Sequence, residues 1–191
     1  MMTVNAQTAV KPGDILGKTA NLITTSKGVE TDFKVFNSGY SGSGKIKVSG
    51  NKFTVMLPDV EVWYNGKDLY TYNKNTAETT VVNPTAEELR ESNPLAYVLA
   101  AQKNYTITFS TVKKTGKYVL ELTPKVKGEI KRITLTVDKN TYYPEKIVVE
   151  PAKGSPVTAD ITGFRITKSV NLSEFEYPHS KYPKVEIVDL R

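Results

Sequence analysis

The chain has 191 residues, enough for one domain with a sizeable core. It has no cysteine, which removes disulfide scaffolds and thiolate metal sites while leaving either redox compartment open. Lys and Arg number 26 against 20 Asp and Glu, but the excess of +6 is spread thinly, with only pairs at Lys113–Lys114 and Lys131–Arg132. That distribution argues against nucleic acid as a partner, and no run of about 18 apolar residues is present to span a bilayer.

The opening residues, Met1 to Gln7, contain Val4-Asn5-Ala6, which has the small-residue character of a secretory cleavage site whose hydrophobic region is missing. An exported chain with its mature start near Gln7 is one expectation; an ordinary disordered terminus is the other. Residues 1–10 are therefore assigned to a disordered terminus or signal remnant, and 11–191 to a single domain. From Lys11, Ile15, Leu16, Thr19, Leu22 and Ile23 fall on one stripe of a 3.6-residue period. Asp14 is positioned to cap this helix and Gly28 to stop it.

Strand patterns follow. Val29, Thr31, Phe33 and Val35 alternate with Glu30, Asp32 and Lys34. The glycines at 39, 42 and 44 suggest a bend or turn before Lys45–Ser49. Ile46 and Val48, then Phe53, Val55 and Leu57, then Val60, Val62 and Tyr64, keep a period of two up to Asn65-Gly66, a strong hairpin signal. Leu69–Tyr72 and Thr79–Val82 continue the meander.

Residues 83–103 then read as helix. Thr85 and Glu88 have capping-box spacing, and Asn93 before Pro94 suggests a second start. Leu89, Leu95, Val98 and Leu99 give an apolar side, while Glu87, Arg90 and Glu91 stay polar. Two readings stand: a helix that finishes a small core, or a lid over a cavity, with Leu95, Val98 and Leu99 pointing into its mouth. After it, Tyr105, Ile107 and Phe109, then Tyr118, Leu120 and Leu122, then Ile133, Leu135 and Val137, resume alternation. Ile147 with Val149, Val157–Ile166 and Val185–Leu190 complete a set of about ten or eleven strands. An antiparallel sheet of that size curls. With so few helices to cover it, a mainly β, unclosed barrel with a helical plug is expected.

The ending Phe175-Glu176-Tyr177-Pro178 followed by Tyr182-Pro183-Lys184-Val185-Glu186-Ile187-Val188-Asp189 resembles the C-terminus of LolA-type periplasmic lipoprotein carriers. In the same order, the amphipathic first helix leading into Asp32-Phe33-Lys34-Val35-Phe36, the hairpin from Trp63 to Tyr72, and Tyr142-Tyr143-Pro144-Glu145-Lys146-Ile147 resemble further segments of that family. The resemblance spans nearly the whole chain. It implies a half-open antiparallel barrel with a helical lid that binds acyl chains of lipoproteins and shuttles them from the inner to the outer membrane.

Alternation puts Phe33, Val35, Phe53, Val55, Leu57, Val62, Phe109, Leu120 and Leu135 on one face, which the resemblance implies is the acyl groove, with Leu89, Leu95, Val98 and Leu99 on its lid. The implied partners are acylated lipoproteins, an inner-membrane ABC transporter and an outer-membrane acceptor. The protein is expected to be a periplasmic monomer without cofactor or metal. One departure concerns the latch. An early-strand arginine that the family bonds to its lid has no counterpart here, since the arginines are Arg90, Arg132, Arg165 and Arg191. The lysines at 45, 47 and 52 lack the planar fork.

Catalysis is not expected. His179 is the only histidine and lies in a Pro-rich turn, which disfavours a triad or a histidine-rich metal site. Trp63, Tyr64, Tyr70 and Tyr72 suggest either a stabilised hairpin or a sugar-stacking platform. The second option keeps open a secreted, non-catalytic module for another lipid or for glycan.

Overall fold

A computed structural model describes residues 10–191, so the signal-remnant expectation for the first nine lies outside the described residues. Helix α1 (Pro12–Thr25) starts with Pro12, whose missing N–H costs nothing at that position. Asp14 lies in the first turn without capping it. There it complements the positive end of the helix dipole. The helix ends at Ser26, and Gly28 opens the first strand instead of stopping the helix.

Twelve strands form one sheet. They are β1 (Gly28–Phe36), β2 (Ser41–Ser49), β3 (Lys52–Met56), β4 (Val60–Tyr64), β5 (Leu69–Asn73), β6 (Glu78–Val82), β7 (Tyr105–Phe109), β8 (Lys117–Pro124), β9 (Ile130–Asp138), β10 (Pro144–Pro151), β11 (Val157–Thr167) and β12 (Glu186–Asp189). Their spatial order is β12-β6-β5-β4-β3-β2-β1-β11-β10-β9-β8-β7. The two ends of the sheet do not pair, so the barrel is unclosed. Between β6 and β7, which lie near opposite ends of that order, the chain runs through helices α2 (Ala86–Ser92) and α3 (Leu95–Asn104).

Gly42 and Gly44, expected in a bend, lie within β2 opposite Val35 and Phe33. A Cβ on Gly44 would stand 2.3 Å from the Met56 carbonyl oxygen. The close approach of β3, not a turn, explains that glycine. A second irregularity bends β11. The register shifts opposite Glu30–Asp32, where Gly163 has φ +59°, a backbone state that glycine adopts without strain.

The inner face carries the core. Ile15, Leu16, Ala20 and Ile23 of α1 pack with Ile46, Val48, Phe53, Val55, Leu122 and Val137. Thr19 in the same stripe donates to the Tyr142 carbonyl at 3.0 Å. The outer face of β3–β6 is covered too, which single-face alternation does not anticipate. A 3₁₀ turn (Leu172–Phe175) and the segment after it lie across it, with Phe175 fully buried and Tyr177 and Trp63 only 4% exposed each. Tyr177 stacks on Tyr70 at 5.1 Å and meets the edge of Trp63 at 5.4 Å. Beneath them Glu61 accepts hydrogen bonds from the Tyr182 hydroxyl and from Lys181, and pairs with Lys74 at 2.9 Å. β12 then adds to the edge at β6 in parallel, from Glu186 opposite Glu78 to Asp189 opposite Val81.

Two outcomes test this cover. Phe175→Ala should cost about 3–5 kcal/mol in chemical denaturation, the loss expected for a fully buried aromatic ring. Burial raises the Glu61 carboxyl, yet the Tyr182, Lys74 and Lys181 hydrogen bonds outweigh it and hold the pKa below 4.5. Its stabilisation is therefore complete above the unfolded value and lost as pH falls through the lower folded one. In melts across acid pH, Glu61→Gln should start less stable at neutral pH and show a shallower acid decline.

Candidate functional site

The strand registers place eight of the nine predicted groove residues on a single face. Val62 pairs with Val55, Phe53 with Val48, and Phe33 with Ile161, while Ala159, Ile147, Leu135, Leu120 and Phe109 follow one another across β11, β10, β9, β8 and β7. Leu57, just past β3, packs on the same core. Their surroundings differ. Phe33, Phe53, Val55, Val62, Leu120 and Leu135 are buried in a filled core. Phe109 is 46% exposed on the edge strand β7. Of the nine, Val35 lines the cavity beside α2 and α3, and Phe109 borders a separate, more open depression at the β7–β8 edge.

That cavity, about 300 Å³, lies between the α2–α3 segment and strands β1, β9, β10 and β11. Its floor is apolar: Val35, Ile130, Ile147, Val149, Val157 and Ala159. Its roof comes from Arg90, Glu91, Pro94 and Tyr97. A more open bay of about 480 Å³ adjoins it, sharing Glu87, Arg90, Glu129 and Ile130 and extending to Tyr105, Lys125 and Val126. An apolar floor with a charged rim suits a ligand that has an aliphatic part and a polar end.

The segment that roofs the cavity is held by local hydrogen bonds. Glu88 N donates to Thr85 Oγ1 at 3.2 Å and Thr85 N to Glu88 Oε2 at 2.6 Å, completing the predicted capping box. Asn93 is buried and its Oδ1 accepts from Leu95 N at 3.0 Å, so it caps α3 from the position before Pro94. Leu95 and Val98 are not at the mouth. They are 0% and 1% exposed, packed in the main core with Ala101, because that edge of α3 faces α1 and the sheet. Leu89 and Leu99 pack against the same core while partly exposed. The mouth residues come from the other side of the helices, which apolar periodicity does not mark. Ile147 and Val149 could have been found from their alternation; Arg90 and Tyr97 had no such signal.

Burial, with a smaller contribution from Glu91, raises the Tyr97 hydroxyl pKa, and Arg90 opposes the shift. Burial likewise raises that of Tyr105. Both hydroxyls are therefore neutral, Tyr97 at the roof of the cavity and Tyr105 in the adjoining bay.

The aromatic set Trp63, Tyr64, Tyr70 and Tyr72 does not form an open platform. Tyr64 turns inward against Phe53 at 5.3 Å, whereas Trp63 lies under Tyr177 and Tyr182 on the other face. This corrects the stacking-platform expectation: the C-terminal segment occupies the surface a sugar would need. Among the described residues, no group of three His, Cys, Asp or Glu could hold a metal ion, and no helix is long and apolar enough to cross a membrane.

These placements predict two different responses to mutation. Leu95→Ala should cost about 2–5 kcal/mol of stability, as for other buried leucines. Arg90→Ala at the open rim should stay within about 0.5 kcal/mol. Urea unfolding of both variants measures the contrast.

The sequence profile described as "Outer membrane lipoprotein carrier protein LolA" matches residues 2–153. No curated protein matches the chain. Among solved structures, an uncharacterized conserved protein from Thermus thermophilus aligns with TM-score 0.63 at 11% identity, covering 92% of this chain and 97% of its own. A LolA superfamily protein from Nitrosomonas europaea aligns at 0.45 and 15% identity, covering 90% and 100%. The lipoprotein LppX from Mycobacterium tuberculosis aligns at 0.47 and 11%, covering 84% and 97%.

Proposed function

Since the chain belongs to the outer membrane lipoprotein carrier protein LolA family, we propose that it is a non-catalytic periplasmic carrier that binds the acyl chains of lipoproteins and moves them from the inner to the outer membrane. The observation that carries this reading is the cavity of about 300 Å³ with its apolar floor on β9–β11 and its roof on α2–α3. Burying each CH₂ is worth about 0.8 kcal/mol, so an acyl chain crossing water needs an apolar enclosure. The lipid-facing assignment passes from the buried core residues to Val35, Ile130, Ile147, Val149, Val157 and Ala159. The remaining predicted residues line no part of this space: six are buried in the core, Leu57 packs on it, and Phe109 is exposed on β7.

Release is as necessary as capture. α2 buries no residue completely and rests on its capping box and on the half-buried Leu89. α3, by contrast, is anchored in the core through Leu95, Val98 and Ala101. The roof is therefore weakly held at α2 and firmly held at α3. Entry is expected where α2 lifts, near Arg90 and Glu91. An inner-membrane transporter would deliver the cargo and an outer-membrane acceptor would take it.

A fluorescent acyl probe should bind with roughly micromolar affinity, be displaced by an acylated lipoprotein, and be indifferent to soluble glycan. Val149→Glu, which puts a charge on the cavity floor, should weaken the probe by about tenfold or more while the melting transition stays cooperative. Probe binding unaffected by Val149→Glu would move the site elsewhere.

A further inference from the structure

We propose that the turn between β8 and β9, residues 125–129, docks the cavity mouth onto an anionic lipid surface. Val126 at this turn is 82% exposed, the most exposed large apolar side chain among the described residues. Such a residue at a turn tip costs hydration and returns nothing within the monomer. It stands between Lys125 and Lys127, and both Lys125 and Val126 line the bay that adjoins the acyl cavity.

The turn is braced against the carrier's own roof. Lys125 N donates to the Asn104 carbonyl at 2.9 Å, and Lys125 Nζ to the Lys103 carbonyl at 3.0 Å, at the end of α3. On the other side Ala152 N donates to the Glu129 carbonyl at 2.6 Å, bringing the β10–β11 turn and Lys153 alongside. Lys103, Lys127 and Lys153 have no acidic partner within 4 Å among the described residues. The acids at the mouth are Glu87, Glu91 and Glu129, which share it with Arg90, whereas the turn itself offers Lys125 and Lys127. An apolar tip among unpaired ammonium groups, on a chain of net charge +6, complements a bilayer that carries anionic headgroups.

Few lysines and one valine make a weak, reversible contact, which suits a carrier that must leave the membrane. With the mouth at the headgroups, an acyl chain would pass between bilayer and cavity with little exposure to water. This purpose rests on the carrier reading, but the docking itself needs no cargo.

Sedimentation with phosphatidylcholine vesicles, with and without phosphatidylglycerol, tests it on the cargo-free protein. Binding should require phosphatidylglycerol and fade as salt is raised. Lys127→Glu and Val126→Asp should each weaken it about fivefold or more, ~1 kcal/mol being the contribution of one surface lysine. Lys127→Glu should leave acyl-probe affinity in solution unchanged. Lys113→Glu, at the opposite end of β8, serves as the control and should bind vesicles like the unsubstituted chain. Vesicle binding indifferent to phosphatidylglycerol, insensitive to both turn variants, or lost instead through Lys113→Glu overturns the inference. Probe binding without vesicle binding refutes the docking alone, and vesicle binding without probe binding supports the docking while refuting the cavity reading.

Discussion

An unclosed sheet has to cover its concave face, and the rest of this structure depends on how that is done. The inner side chains of twelve strands form one apolar surface, and only three helices among the described residues are available to shield it. α1 fills the largest part and α3 joins it, so most of the face becomes ordinary core. The remainder, over β9–β11, is bridged by the polar side of α2 and the start of α3, and a space is left there. The cavity is thus a result of incomplete shielding: α2 and α3 must connect β6 to β7 and cannot also pack against every strand.

The outer face uses a different device. A β-sheet solvated on one side would have left Trp63, Tyr70 and Tyr72 in water. Here Tyr177 and Tyr182 lie on them, the Phe175 turn packs against β3, and Thr79 shares a hydrogen bond of 2.9 Å with Tyr177. The buried carboxylate of Glu61 is acceptable in this layer because two ammonium groups and a phenol reach it.

Much of this was legible from the residues. Period-two alternation assigned all nine groove candidates to one face because a register error of one would have reversed whole strands, and the Thr85–Glu88 spacing located α2 through a purely local interaction. What escaped was set by distant partners. Gly44 looks like a turn residue until the Met56 carbonyl is seen against it. Leu95 and Val98 look like lid residues because periodicity reports that a side is apolar, not whether the space beyond it is filled. Arg90 and Tyr97 fall on no apolar stripe, so only the packed helices reveal them at the cavity. The residual pattern of the C-terminal segment, with Phe175, Tyr177 and Tyr182 spaced among prolines, suited a terminal strand but gave no direct sign that it would cover a second face.

The parallel pairing of β12 with β6 bears on the order in which the protein assembles. Glu186 and its partner Glu78 lie far apart in the chain, whereas most neighbouring strands in the sheet follow one another directly. Contacts of long sequence separation form late, since loop closure must come before they contribute. The β2–β6 meander can therefore form early, with β6 as a bare edge, a template for pairing with other chains. Until β12 arrives, that edge and the unshielded Trp63–Tyr72 surface are exposed together, so one C-terminal segment removes two aggregation-prone features at once.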